Sequence, residues 1–149
     1  MLKSLWGARI ATDAVFLADY AINPLGVKSH AEIAEVVERW LTQAAEVSDT
    51  LVIACNTLSI RYHQLYGAGR RLGRLTRVVS MADCFAEMVK QEAGRIAGKK
   101  LLVIGTEFTA GQSLYSDIVE QVCPGTHVST FAATELERKI ARFGNWEGE

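Results

Sequence analysis

The stretch "TLVIACNTLS", residues 50–59, decides how the rest of the chain is read. Its first half is an apolar, β-branched run too short for a helix, the signature of a buried strand. Its second half begins with Asn56 and Thr57, and asparagine is among the best residues for opening a helix. A strand that turns at once into a helix is the repeating step of an α/β domain. Cys55 stands at the turn, where a helix N-terminus favours the thiolate and lowers its pKa. Free cysteine is also among the most buried residue types, so local pattern leaves two readings of Cys55 open, reactive thiol and inert core.

The same alternation runs outward in both directions. Short apolar runs predict strands over residues 14–19 ("AVFLAD"), 50–55, 76–81 ("TRVVSM"), 100–105 ("KLLVIG") and 127–132 ("HVSTFA"). They lack clean polar alternation, as befits a parallel sheet with helices on both faces. The clearest helix covers residues 30–47, where Ile33, Val36, Val37, Trp40, Leu41 and Ala44 recur on one face and Ser29 and Glu32 have capping-box spacing. Further helices are predicted over residues 58–66, 83–97, 110–122 and 134–143, and the chain opens on a helix over residues 2–10. The fold class is therefore α/β, a parallel sheet flanked by helices.

Composition narrows the partners. The 149 residues carry 16 Lys and Arg against 17 Asp and Glu, a net charge of -1, so no field of one sign recommends nucleic acid or a membrane surface. The basic run Arg70, Arg71, Arg74 and Arg77 lacks interleaved aromatic residues and reads as a solvated loop. No apolar run approaches the roughly 20 residues of a membrane span. Cys55, Cys84 and Cys123 are odd in number and widely spaced, neither a disulfide framework nor a zinc pattern, which makes reducing cytoplasm the expected compartment.

In open parallel sheets ligands bind beyond the carboxyl ends of the strands, where the following helices point unsatisfied amide donors. Three segments lie at such ends: "NPLGVKS" (23–29), "CNTLS" (55–59) and "GTEFTAGQS" (105–113). A pocket of backbone N–H groups and hydroxyls suits a small carboxylate. These segments also carry a resemblance. "ACNTLS" resembles the first cysteine motif of the aspartate/glutamate racemase family, A-C-N-T-A-S in glutamate racemases. "LADYAINPLGVKS" is similar to L-A-D-x-x-x-x-P-Y-G-x-K-S, and "VIGTEFTAGQSLY" to V-I-G-T-x-A-T-x-x-S-x-x-Y. The three occur in order and cover roughly residues 16–115.

The resemblance implies a cofactor-independent racemase, metal-free, that interconverts L- and D-glutamate and so supplies D-glutamate for peptidoglycan. It implies a small amino-acid or dicarboxylate substrate, a two-lobed fold and a homodimer. One thiolate removes the α-proton while a second thiol protonates the opposite face. On the matching positions Cys55 is the acid/base, Leu25, Gly26, Asn56 and Thr57 line the substrate site, and Thr106 and Thr109 hold its carboxylate or amine. Residues 1–82 then form a first lobe lacking its first strand, and residues 83–149 begin a second, one and a part lobes in all. Glutamate racemases also carry a D-S-G strand and a G-C-T-H motif, neither of which has a counterpart here, so the chain is expected to be truncated at both ends. Leu25 replaces the usual Tyr and Leu58 the usual Ala. Cys84 matches no second-cysteine motif, and Cys123, in "CPGTH", falls at the opposite edge of the sheet. His30 and His63 read as surface or helix-end residues. Two alternatives stand beside this reading: a non-catalytic carboxylate-binding module, and a racemase or isomerase of aspartate or another diacid.

Overall fold

The computed structural model describes residues 15–67 and 72–143. After two short 3-10 turns at Tyr20–Ile22 and Leu25–Val27, the elements are α1 (His30–Val47), β1 (Thr50–Ile53), α2 (Asn56–Tyr66), β2 (Arg77–Ser80), α3 (Met81–Gln91), α4 (Ala93–Ile96), β3 (Lys100–Gly105), α5 (Glu107–Ala110), α6 (Leu114–Val122), β4 (His127–Ala132) and α7 (Thr134–Phe143). The strands form two parallel pairs, β1 with β2 and β3 with β4, in registers that set Ile53 opposite Ser80 and Gly105 opposite Ala132. This is a mixed α/β architecture with parallel strands flanked by helices.

Local chemistry accounts for the helix starts. At α1 the Ser29 hydroxyl accepts from the Glu32 amide and the Glu32 carboxylate accepts from the Ser29 amide, the reciprocal box its spacing predicts. Ser80 and Asp83 repeat the device at α3. The apolar face of α1 packs Ile33, Val37 and Leu41 into the main core with Ile60, Tyr62 and Leu75, each aliphatic side chain contributing about 1.5–3 kcal/mol. Phe108 and Tyr115, from beyond β3, enter the same cluster, so one core underlies both strand pairs. A second cluster of Val89, Val119 and Cys123 lies between α3 and α6.

The structure corrects several expectations. Residues 15–19 form no strand: Val15 and Phe16 are exposed, and a strand exists only where a neighbour completes its ladder. The helices drawn over 83–97 and 110–122 are each two, interrupted at Glu92 and over residues 111–113. Helices do not cover both faces of β3 and β4, since Leu102, Ile104 and Phe131 share an exposed face. Of the basic run, Arg74 lies in the turn closed by the Leu72–Leu75 bridge and Arg77 begins β2; Arg70 and Arg71 fall outside the described residues, as does the helix expected over 2–10. No helix among the described residues is long and apolar enough to cross a membrane.

Candidate active site

Cys55 is the N-cap residue of α2, two residues beyond the end of β1, with extended backbone and no side-chain cap bond. Ser59, fully buried one turn on, fixes this junction: its hydroxyl donates to the Ile53 carbonyl at 3.2 Å and accepts from the Met81 amide at 3.1 Å. The end of β1, the start of α2 and the start of α3 are thereby tied at one point. Thr106 holds the equivalent position after β3. Its hydroxyl accepts from the Thr109 amide at 3.2 Å, capping α5, and donates to the Thr109 hydroxyl at 3.1 Å.

The two strand-end junctions meet. Thr57 Oγ1 and Thr106 Oγ1 lie 3.4 Å apart, and Gly26 packs so closely that a Cβ there would stand 2.6 Å from Thr106 Cβ. Between them opens a cavity of about 400 Å³ lined by Leu25, Gly26, Cys55, Thr57 and Thr106, with Asn23, Pro24, Ile104 and Gly105 beside them. Its far wall is Ala133 together with Leu136, Glu137 and Ile140 of α7. That volume is of the order a small ligand occupies.

Burial pushes the Cys55 thiol above its ordinary pKa; the amides of Leu58 and Thr57 at the start of α2 pull it down, and the Glu137 charge pushes it up. The helix start therefore acts on the thiol in the expected sense, but desolvation outweighs it, and the net direction is opposite to the one expected from the sequence. Tyr115 of α6 donates to Asn56 Oδ1 at 2.5 Å, leaving the amide nitrogen as the end of Asn56 free to donate elsewhere. Burial first and the Cys55 charge second push the Tyr115 phenol up to about 12.

Five of the residues singled out in the sequence, Leu25, Gly26, Cys55, Thr57 and Thr106, are thus brought to one cavity. Asn56 is exposed beside it rather than among the lining residues, and Thr109 is buried behind Thr106 as its hydrogen-bond partner. Cys84 is exposed on α3 and Cys123 is buried in the second core, so neither lines the cavity. His30 begins α1 against the Phe108 ring. His63 is, as expected, a helix-end residue, in the last turn of α2, and it is half-buried: its Nε2 lies 2.9 Å from the Ser80 hydroxyl and 3.4 Å from Asp83 Oδ1. Sequence reasoning missed Tyr115 and Glu137. A signal for Glu137 existed, because it interrupts the stripe Ala133, Leu136, Ile140 with an acid at helical spacing.

No protein-family model matches this chain, and no curated protein matches it. Solved structures do. Glutamate racemase from Campylobacter jejuni subsp. jejuni superposes with a TM-score of 0.64 at 23% identity, over 85% of this chain and 48% of that one. Glutamate racemase from Francisella tularensis subsp. tularensis SCHU S4, solved in complex with D-glutamate, gives 0.58 at 21% identity, over 88% and 46%. The chain spans about half the length of these racemases, and over that span it has their fold.

Proposed function

We propose that the cavity receives a small amino acid, with glutamate the first choice, and that Cys55 moves a proton to or from its α-carbon as in a cofactor-independent racemase of the glutamate racemase type. The observation that carries this reading is the convergence of Cys55 with Thr57, Thr106 and Gly26 on one cavity at the carboxyl ends of β1 and β3. An α-proton can be removed only if the base lies within hydrogen-bond reach and the developing carbanion meets fixed donors. The Thr57 hydroxyl is such a donor for a carboxylate, the Thr106 proton being given to Thr109, and the α2 amides steady the thiolate once it forms. On this reading residues 1–82 and 83–149 belong to two lobes with the site between them, and the protein acts in the cytoplasm, as a homodimer, on the route to peptidoglycan.

Among the described residues the cavity holds one thiol, so this chain exchanges a proton on one face of the substrate faster than it racemises. The test is α-proton exchange of D- and L-glutamate in heavy water, followed by proton NMR, with Cys55→Ala as control. Exchange of one enantiomer that vanishes in the variant supports the assignment; equal exchange in both proteins overturns it. A second reading, a binding module without catalysis, is favoured by the burial that holds the Cys55 thiol protonated. Calorimetric binding of glutamate with no exchange at any pH would select it.

A further inference from the structure

Among the described residues, Glu137 is the one charged side chain lining the cavity; no Lys, Arg or His shares the lining with it. Its neighbours on α7 are satisfied elsewhere, Glu135 accepting from Arg138 at 2.9 Å on the outer face. Glu137 instead faces the cavity and is half-buried, while Leu136 and Ile140, which also line it, stay largely exposed. Its Oε2 is buried and has no hydrogen-bond partner. The carboxylate rests against Gly26 and fits only because that residue has no side chain: a Cβ there would lie 2.7 Å from Oε2 and closer still to Oε1.

A buried carboxylate oxygen without a donor is costly, and native structures seldom leave one so. Among the described residues no cation stands at this point, and a ligand that carries a donor completes it. The other polar side chains of the lining, Asn23, Thr57 and Thr106 beside the Cys55 thiol, are neutral, and the Asn23 amide and the Thr57 hydroxyl are donors suited to a carboxylate. One negative wall facing neutral donors is the complement of a zwitterion. Resting on the amino-acid reading above, we propose that Glu137 is the ammonium-binding residue of the cavity, so that the site selects α-amino acids over diacids that lack an amine. The selection has two sides: the ammonium gains a charge-assisted hydrogen bond, and a bare diacid meets a like charge. It also couples binding to chemistry. The Glu137 charge opposes ionisation of Cys55, and a bound ammonium offsets that charge where the α-carbon enters.

The test compares L-glutamate, D-glutamate, glutarate and propylammonium, titrated into the full chain and into Glu137→Gln, with amide NMR shifts as readout. The expected result is that the wild type binds a glutamate enantiomer at least tenfold more tightly than glutarate. Glu137→Gln should lower glutamate affinity at least tenfold and leave glutarate as tight or tighter. Propylammonium should shift the Glu137 region weakly in the wild type and not in the variant. Glu137→Ala, which removes the unpartnered oxygen, serves if the Gln variant misfolds and must lose the same preference. Equal binding of glutamate and glutarate, or a preference that survives both substitutions, overturns the proposal and leaves a carboxylate site standing. If propylammonium binds through Glu137 while no acid binds, the amino-acid reading falls and the role of Glu137 holds. If none of the probes shifts a resonance, both are overturned.

Discussion

Tyr115→Phe isolates one bond of the candidate site. The substitution deletes the hydroxyl that donates to Asn56 Oδ1 and keeps the ring, whose edge-on contact with Phe85, centroids 4.9 Å apart at 84°, does not need the oxygen. A neutral hydrogen bond contributes about 0.5–1.5 kcal/mol net, and a fully buried orphaned acceptor would add to the loss. Asn56 is exposed, so water takes up its freed oxygen and the expected cost is about 1 kcal/mol. With a urea slope of about 1.5–2 kcal/mol per molar, the unfolding midpoint falls by about 0.5–0.7 M. Tyr115→Ala, which also empties a core position, should cost about 3–5 kcal/mol. A double-mutant cycle with Asn56→Ala should return a coupling of about 1 kcal/mol. The phenol pKa is raised by folding, so its contribution is fully present below the ordinary value near 10 and is lost progressively as pH climbs from there through about 12. The midpoint difference is therefore constant from pH 6 to about pH 9 and shrinks above it. A shift under about 0.2 M, or a cycle that closes additively, would refute the claim that Tyr115 fixes the Asn56 amide.

Two further outcomes test the packing and the electrostatics of the cavity. Gly26→Ala drives a methyl to 2.6 Å from Thr106 Cβ and against the Glu137 carboxylate; overpacking of this kind costs about 2 kcal/mol, lowers Tm by about 4–8 °C, and should weaken glutamate binding. A variant as stable as the wild type in a calorimetric melt would show that the cradle yields. Alkylation of Cys55 by iodoacetamide, read by peptide mass spectrometry, should rise roughly tenfold per pH unit and level off above the ordinary thiol value of about 8.5, because burial holds the thiol protonated. Folding raises this pKa, so the stability tied to the neutral thiol is complete below about 8.5 and declines above it. Glu137→Gln should move the plateau down. A wild-type inflection at or below 8.5 would mean that the α2 amides outweigh desolvation.

Sequence pattern reads what is local and misses what depends on a distant partner. β3 and β4 occupy their predicted bounds because Lys100 and His127 begin apolar runs that end in small residues, and the Ser29–Glu32 cap forms because both halves lie within one turn. The run 14–19 has the same composition as a strand, yet composition cannot supply a neighbour, and Val15 and Phe16 stay exposed. Leu25, Gly26, Cys55, Thr57 and Thr106 were legible as site residues through the resemblance of their segments to the racemase motifs, and for Cys55, Thr57 and Thr106 also because strand-end loops in a parallel sheet share one edge. Asn56 and Tyr115 are 59 residues apart, and nothing in either local pattern announces their bond. Cys55 shows the same limit in its chemistry. The effect of α2 on its thiol was readable from the strand-to-helix junction, since the amides that lower the pKa are two and three residues away. The opposing push comes first from the burial of the sulfur and last, as the smallest influence, from Glu137, 82 positions later on α7. Burial of the sulfur is thus the main influence on this thiol and Glu137 the smallest of those that act on it, so Glu137→Gln should ease its ionisation modestly while leaving the pKa above its ordinary value.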